Sequence, residues 1–409
     1  MQALLKHYKI ITILFIGWFL SYVDRFLINI ALPLIGKDYH LSAASQGLML
    51  SVFFAGYALV QVPGGWLSDR IGSRKVMVFS VLMLSVFTAL TGLAWSVASL
   101  LVIRFLFGVA EGGFPTASFR ALSEYFPATD RSKIQSVLLS SNPLALVIAP
   151  LVAAPLIYWL DWRRMFMIVS AMGILATVLY ARGLGRPTQP SSAAQAPGRH
   201  GPLISVLRDP VVWKICVVNF GLNVLIWGFL SWLPSYLLRV RHLDLLHVGV
   251  FSSLPGIAGI AGMLIGGWLA DSYFAYREKY LLMITVGLAA LCLLAMINAS
   301  SLSAVIVCQL IIAFSLKVAF IAIWSMPLKF ENTGATGSTA GVINMGSQLA
   351  GVVSPAIMGF LISAYGGSYT GAFVFLIACA VLCIVVSMTM RGASQRNYPA
   401  SIEQQTQPH

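Results

Sequence analysis

The sequence predicts an all-α polytopic membrane protein, with twelve transmembrane helices in two pseudo-symmetric six-helix halves. Three observations carry this expectation. Apolar residues make up 58% of the 409 positions and charged residues only 10%, with a mean hydropathy of +0.86; a soluble domain is nearer a quarter charged. The apolar residues run in blocks long enough to cross a bilayer, which takes ~20 residues of helix. A short signature, GGWL followed by an aspartate and a basic loop, occurs twice, starting at Gly64 and at Gly266.

The blocks fall at 9–35, 45–68, 76–95, 97–119, 133–159, 164–183, 212–238, 246–270, 280–298, 302–328, 335–364 and 370–390. Runs this long span as helices, because unpaired backbone groups cost too much in lipid. The first block is too long for a secretory signal and contains Asp24 and Arg25. No small-residue cleavage site follows it, so it reads as a permanent first span.

Between the sixth and seventh spans, Arg186 to Pro202 reads RPTQPSSAAQAPGRHGP. Its Pro, Ser, Ala and Gly content without apolar periodicity is that of a linker. The organisation is then an N-terminal half over 1–185, a cytoplasmic linker over 186–211, a C-terminal half over 212–391 and a cytoplasmic tail over 392–409. Both GGWL copies stand at the end of the second span of their half. The second copy has Ser272 and Phe274 where the first has Arg70 and Gly72, and Arg277 and Lys279 keep its loop basic. A duplicated six-helix half marks a carrier whose halves rock about a midplane site.

The net charge of +13 does not call for nucleic acid. With both termini inside, the outer loops hold only Lys37, Arg163, Arg164, Arg239 and Arg241. Arg25, Arg104 and Lys317 fall inside apolar blocks, and every other Lys and Arg falls on the inner side. This asymmetry reports orientation. The five cysteines lie within spans and lack metal-ligand spacing, so they read as free packing residues.

Charges inside a membrane are costly and usually functional. The first span contains Ser21-Tyr22-Val23-Asp24-Arg25 near mid-depth. The fourth contains Arg104-Phe-Leu-Phe-Gly108-Val-Ala-Glu111-Gly112-Gly113. Arg104 and Glu111 are two turns apart and share a face. Its glycines thin this helix, so that a solute or another helix can approach. A carboxylate in apolar surroundings holds a proton more readily than in water, making Asp24 and Glu111 candidate proton carriers. A guanidinium stays charged and its planar fork fits a carboxylate. Arg25 is the candidate for a substrate carboxylate, and Arg104 for tuning Glu111 or holding an outer gate. An ionised Glu111 would compete with an anionic substrate for arginine, so that proton and anion binding favour each other. The alternative is that Asp24–Arg25 and Arg104–Glu111 are permanent structural ion pairs.

Gly65-Trp-Leu-Ser-Asp69-Arg-Ile-Gly72-Ser-Arg74-Lys75 resembles the loop 2–3 signature of the major facilitator superfamily, and the helix count, linker and repeat extend the resemblance over nearly the whole chain. In that family the motif, here Asp69 with Arg70 and Arg74, is read as a conformational latch. YVDR in the first span, RFLFGVAEGGFPTAS in the fourth, WLPSYL in the seventh and GVINMGSQLAGVVSPAIMGFL in the eleventh together resemble the anion:cation symporter family. That family includes bacterial hexuronate, galactonate, glucarate and tartrate transporters, sialin and the vesicular glutamate transporters. The resemblance implies proton coupling at Asp24 and Glu111 and substrate binding at Arg25, Tyr57 and Asn344. It makes Asn142 a polar pocket position, where sugar-acid carriers often have glutamine. It also implies a monomer in a bacterial inner membrane, with both termini cytoplasmic, that moves a small organic anion with protons.

Other polar residues in the spans are candidate pocket residues or helix bridges, among them Asn223, one turn from Asn219, and Trp324. Lys317 stands mid-span without an acidic partner nearby in sequence and departs from the family pattern. As a second cation it would serve a substrate with two acidic groups, or an acid plus a strong acceptor.

A drug/proton antiporter is disfavoured, because the fifth span reads SSNPLALVIAP without the glycine-rich run of that group. An organic-anion exchanger remains an alternative. HExxH, GxSxG, P-loop and metal-cluster patterns are absent from the sequence, which therefore predicts neither enzyme, cofactor nor metal; a membrane enzyme or a non-transporting sensor is the disfavoured reading from a different class.

Overall fold

The computed structural model describes residues 2–185, 208–275, 277–328 and 336–390. Most of the linker expected over 186–211, and the tail over 392–409, lie outside the described residues.

Thirteen helices and no strand occur among the described residues. They are α1 Gln2–Asp38, α2 Ala43–Ile71, α3 Ser73–Gly92, α4 Val97–Tyr125, α5 Ala128–Leu139, α6 Ser141–Leu160, α7 Trp162–Gly183, α8 Pro210–Arg239, α9 Leu245–Asp271, α10 Glu278–Asn298, α11 Leu302–Leu328, α12 Thr336–Ala364 and α13 Thr370–Met388. Twelve segments are long and apolar enough to cross a membrane, and they match the twelve sequence blocks to within several residues.

The fifth span differs from the single helix expected over 133–159: it is two helices, α5 and α6, meeting at Ser140. Pro143 supplies the cause. It has no N–H for the carbonyl of Leu139, and its ring disfavours helical geometry just before it. Asn142 thus sits half-buried at the discontinuity. Between α2 and α3, Gly72 turns the chain at φ 90° while donating its N–H to Ser68 O. A side chain at that φ would be strained, which explains the glycine.

The described helices pack as two compact units. The first holds Met1–Ala196 with Trp227–Ile257 and Gln348–Ala372; the second holds Pro197–Ile226, Ala258–Ser347 and Phe373–His409.

In the first unit, α2 and α4 press backbone to backbone. A Cβ built on Gly108 would lie 2.1 Å from Phe53 O, and one on Gly112 would lie 2.4 Å from Tyr57 O. The thin face of α4 therefore receives a helix, not a solute. The duplicated motif is built the same way in both units: Gly64 faces Gly113 of α4, and Gly266 faces Val318 of α11. The first unit holds three apolar clusters, the smallest around Phe53, Phe54 and Phe107 and the other two along α1 and α4. Of these two, one gathers Ile10, Leu14, Trp18 and Phe114; the other gathers Phe26, Leu27, Leu100 and Ile103. Along α1 and α4 the polar residues fall between them.

Also in the first unit, Gln348–Ala372 is seated on the start of α2 around Ala43, and Trp227–Ile257 packs on α6, where Gly249 faces Pro150 and Ala154. Trp232 Nε1 donates to Pro355 O at 3.2 Å, and Ala44 N–H donates to Ser363 Oγ at 3.0 Å. A Cβ on Gly47 would come within 2.3 Å of Pro355 O, and one on Gly359 within 2.4 Å of Ala43 O.

In the second unit, Asn219 Nδ2 on α8 donates to Ile343 O at 2.8 Å and to Ser347 Oγ at 2.7 Å on α12. All five cysteines are free. Cys383 fills the space beside Gly221, the packing role expected for it.

Candidate functional site

Consecutive residues on a helix point about 100° apart, so Asp24 and Arg25 leave α1 in different directions. Asp24 turns to α3, where its Oδ2 accepts from Thr88 Oγ1 at 3.0 Å, and its Oδ1 is buried without a partner. Arg25 turns to α2 and α4. Its Nη2 forms a short salt bridge with Glu111 Oε1, an oxygen that also accepts from Ser21 Oγ at 2.7 Å. Glu111 Oε2 makes no hydrogen bond. The side chains of this pair are 10% and 1% exposed, deep enough that solvent screens them little.

Five aromatic rings surround the Arg25 guanidinium. Its Cζ lies 5.0 Å from the ring centre of Tyr57, 5.1 Å from Phe53, 5.4 Å from Tyr22, 5.6 Å from Trp227 and 5.8 Å from Phe54. These faces favour a cation and hold the guanidinium plane without supplying a counter-charge.

Arg104 is buried at 3% exposure and lies over the rings of Phe107 and Phe166 at 5.3 and 5.5 Å. Among the described residues it forms no salt bridge with a carboxylate. The two acid–base neighbours suggested by sequence are therefore not the pairs that form: Asp24–Arg25 and Arg104–Glu111 give way to Arg25–Glu111.

Arg25 and Arg104 line one small cavity of the first unit. Phe53, Phe54, Phe107 and Trp227 form much of its wall, and Asn29 and Ser231 add neutral polar groups. A second small cavity shares Phe26 and Asn29 with the first and reaches Ser252.

Of the other residues singled out in sequence, Tyr57 belongs to the Arg25 cage and Asn142 to the α5–α6 break. Asn223, Trp324, Asn344 and Lys317 belong to the second unit. Asn223 Nδ2 donates to Asn219 O at 2.8 Å. Trp324 Nε1 is buried without a partner. Lys317 lays its alkyl stem along Gly259 and Gly262, and its Nζ lies 5.7 Å from the ring of Phe320.

At the loop between α2 and α3, Asp69 pairs with Arg120 near the end of α4, not with its motif neighbours. Arg120 also binds Glu124 at 2.6 Å, and Ser73 Oγ donates to Glu124 at 2.5 Å. Arg70 stacks over Trp66 at 4.2 Å, and Arg74 donates to Ala181 O on α7. No cluster of metal-binding side chains occurs among the described residues.

Asn29, Ser231, Ser21 and Thr88 were not expected from sequence. The available signals were periodic: Asn29 lies one turn after Arg25, and Ser231 one turn after Trp227.

The Major Facilitator Superfamily model matches residues 14–355. The chain belongs to that superfamily. It is an integral, multi-pass membrane protein and, like the relatives that follow, a transporter of the superfamily. It is 33% identical over 387 residues to the "Probable sulfoacetate transporter SauU" of Cupriavidus necator, covering 89% of each chain. It is 27% identical to the "Probable galactarate/D-glucarate transporter GarP" of Escherichia coli, covering 95% of each. Against the hexuronate transporter of Bacillus subtilis it is 28% identical, over 91% of this chain and 92% of that one. Among solved structures, it superposes with a TM-score of 0.84 on a bacterial homologue of the human lysosomal transporter Spinster in an inward-facing, unoccupied conformation. That match covers 97% of this chain and 99% of the other at 18% identity, a likeness of major facilitator fold alone.

Proposed function

We propose that this protein is a secondary active transporter that imports an organic anion, a sugar acid or a small mono- or dicarboxylate, by proton symport through alternating access. The observation that carries the reading is the Arg25–Glu111 salt bridge at the edge of a cavity. An internal carboxylate there occupies the cation that an anionic substrate needs.

Taking two charges out of water is costly, and their attraction offsets that cost only while both partners are present. A proton on Glu111, accepted at the unpartnered Oε2, neutralises the internal competitor and leaves Arg25 to the substrate carboxylate. Substrate binding in turn favours the protonated Glu111, because linkage is reciprocal. Asp24, held by one neutral hydroxyl, is the second proton-coupling group. Tyr57 shapes the Arg25 pocket, and Arg104 tunes the field around Glu111.

Asn142 and, in the second unit, Asn223, Trp324, Asn344 and Lys317 are assigned to substrate by residue type and family resemblance. Asp69, Arg70 and Arg74 are assigned to a latch in the α2–α3 loop. The seating of Trp227–Ile257 and Gln348–Ala372 on the first half is read as a closed outer gate. The names of the relatives, carriers of sulfoacetate, galactarate/D-glucarate and hexuronate, support an acidic substrate. The protein is placed by this reading in a bacterial inner membrane, as a monomer with both termini cytoplasmic.

Glu111→Gln tests the coupling role. In proteoliposomes the variant is expected to lose uptake driven by a proton gradient while retaining exchange of internal for external substrate. Full concentrative uptake by the variant would reject the role of Glu111.

A further inference from the structure

We infer that the cavity of the first unit takes a compact dianion, whose second acidic group is held by Arg104, Asn29 and Ser231. This rests on the transport reading above, in which Arg25 holds the first acid group, and it narrows the substrate of that same site.

The cations come first. Arg25 and Arg104 line the same cavity, and the only carboxylate paired with either among the described residues is Glu111, on Arg25. With Glu111 and Asp24 both protonated, the cavity presents two guanidinium groups without an internal counter-charge, and a monoanion leaves one of them uncompensated in an apolar wall. A buried charge without a partner is strongly unfavourable. A second acidic group on the solute supplies that partner.

The neutral polar groups point the same way. Asn29 is 9% exposed and Ser231 is 3% exposed, and both line the cavity. Neither makes a hydrogen bond with another described residue, and Ser252 Oγ in the adjoining cavity is also without a partner. Buried polar side chains normally find partners, so these amide and hydroxyl donors mark where an acceptor belongs. Asn29 follows Arg25 by one turn on α1, a rise of about 6 Å. Acid groups separated by one or two carbon atoms span a comparable distance between their outer oxygens.

The rest of the wall sets the class. Phe26, Met49, Leu50, Phe53, Phe54 and Phe107 offer no hydrogen bonds through their side chains. A six-carbon sugar acid carries more hydroxyl groups than Asn29, Ser231 and the Trp227 indole N–H can satisfy here, and each unsatisfied hydroxyl costs its desolvation. A short dicarboxylate or carboxylate–sulfonate has no such surplus.

Ligand-induced thermal stabilisation of the purified protein, at a mildly acidic pH at which malonate still carries two charges, tests this without a radiolabelled substrate. The probes are malonate and sulfoacetate as compact dianions, acetate as a monoanion, and glucuronate as a sugar acid. The dianions are expected to half-saturate at concentrations lower by about tenfold or more than glucuronate or acetate. Asn29→Leu and Ser231→Ala are expected to raise the dianion concentration by about tenfold, and the acetate concentration by a smaller factor. Asn29→Asp keeps the side-chain size and places a like charge beside the second acid group; it is expected to reduce the dianion preference even if Asn29→Leu fails to fold. Glucuronate binding as well as or better than the dianions would overturn the inference and leave the transport reading standing. Equal shifts for dianion and acetate in the variants would do the same. An absence of stabilisation by any of these acids, and of uptake of any organic acid, would remove the transport reading itself.

Discussion

Glu111 pairs with Arg25 on α1, although Arg104 stands two turns away on its own helix. The pair ties α1 to α4 in the middle of the first unit, between two apolar clusters, and it does so through the cation that lines the cavity. In the proposed mechanism, the bond within this pair is the one that a substrate carboxylate replaces.

The first prediction concerns stability. Arg25→Ala leaves Glu111 buried without its cation, a change that typically costs ~3–5 kcal/mol. The double variant Arg25→Ala with Glu111→Gln is expected to recover most of this loss, because no charge is then left alone. Thermal unfolding of the purified single and double variants checks the order.

Arg25→Lys keeps the charge but loses the planar fork and its stacking within the five-ring cage. Lysine is a compact point charge and does not replace a guanidinium at a bidentate or stacked site. The KM for the transported acid is expected to rise by about tenfold or more, as measured by initial uptake rates. Recovery of wild-type KM would indicate that only the charge matters.

Asp24→Asn preserves an oxygen for Thr88 and removes the titratable group. Accumulation against a gradient is expected to fall, while counterflow continues at a measurable rate. Loss of both to the same extent would argue for a structural role of Asp24.

The α2–α4 contact predicts a sharp difference between neighbouring glycines of the repeated motif. A Cβ on Gly64 would lie 2.7 Å from Gly113 Cα, whereas one on Gly65 would lie 3.8 Å from Thr116. Overpacking of a tight contact costs ~1–3 kcal/mol. Gly64→Ala should therefore lower the unfolding temperature, and Gly65→Ala should change it little.

Asp69 and Arg120 form a surface-side pair, and such pairs contribute about 1 kcal/mol or less. Asp69→Asn is expected to leave the unfolding temperature nearly unchanged and to lower the maximal transport rate more than it alters KM. A change confined to KM would place Asp69 with substrate binding instead of the latch.

Much of the fold was legible because bilayer thickness imposes a length on every apolar block, and twelve blocks gave twelve spans. The repeated GGWL was also legible as packing, since Gly64 and Gly266 face equivalent neighbours. The partner of Glu111 was not. Sequence spacing identifies residues that share a helix face, as Arg104 and Glu111 do, but it carries no information on which face of α1 meets α4. The α5–α6 break was visible in principle at Pro143, yet the surrounding apolar run masked it, because hydropathy is insensitive to a missing N–H. Asn29 and Ser231 were missed because a single small polar residue in an apolar span is usually a helix bridge. Only the cavity and their lack of partners distinguish them.

The central claim is that an organic anion and a proton share one coupled site around Arg25 and Glu111. Its most direct test is uptake of a panel of organic acids into proteoliposomes containing the full-length protein, with and without an inwardly directed proton gradient. At least one acid is predicted to accumulate above its external concentration only when the gradient is present, with proton entry accompanying it. Transport of an acid at the same rate and to the same final level in both conditions would contradict the claim.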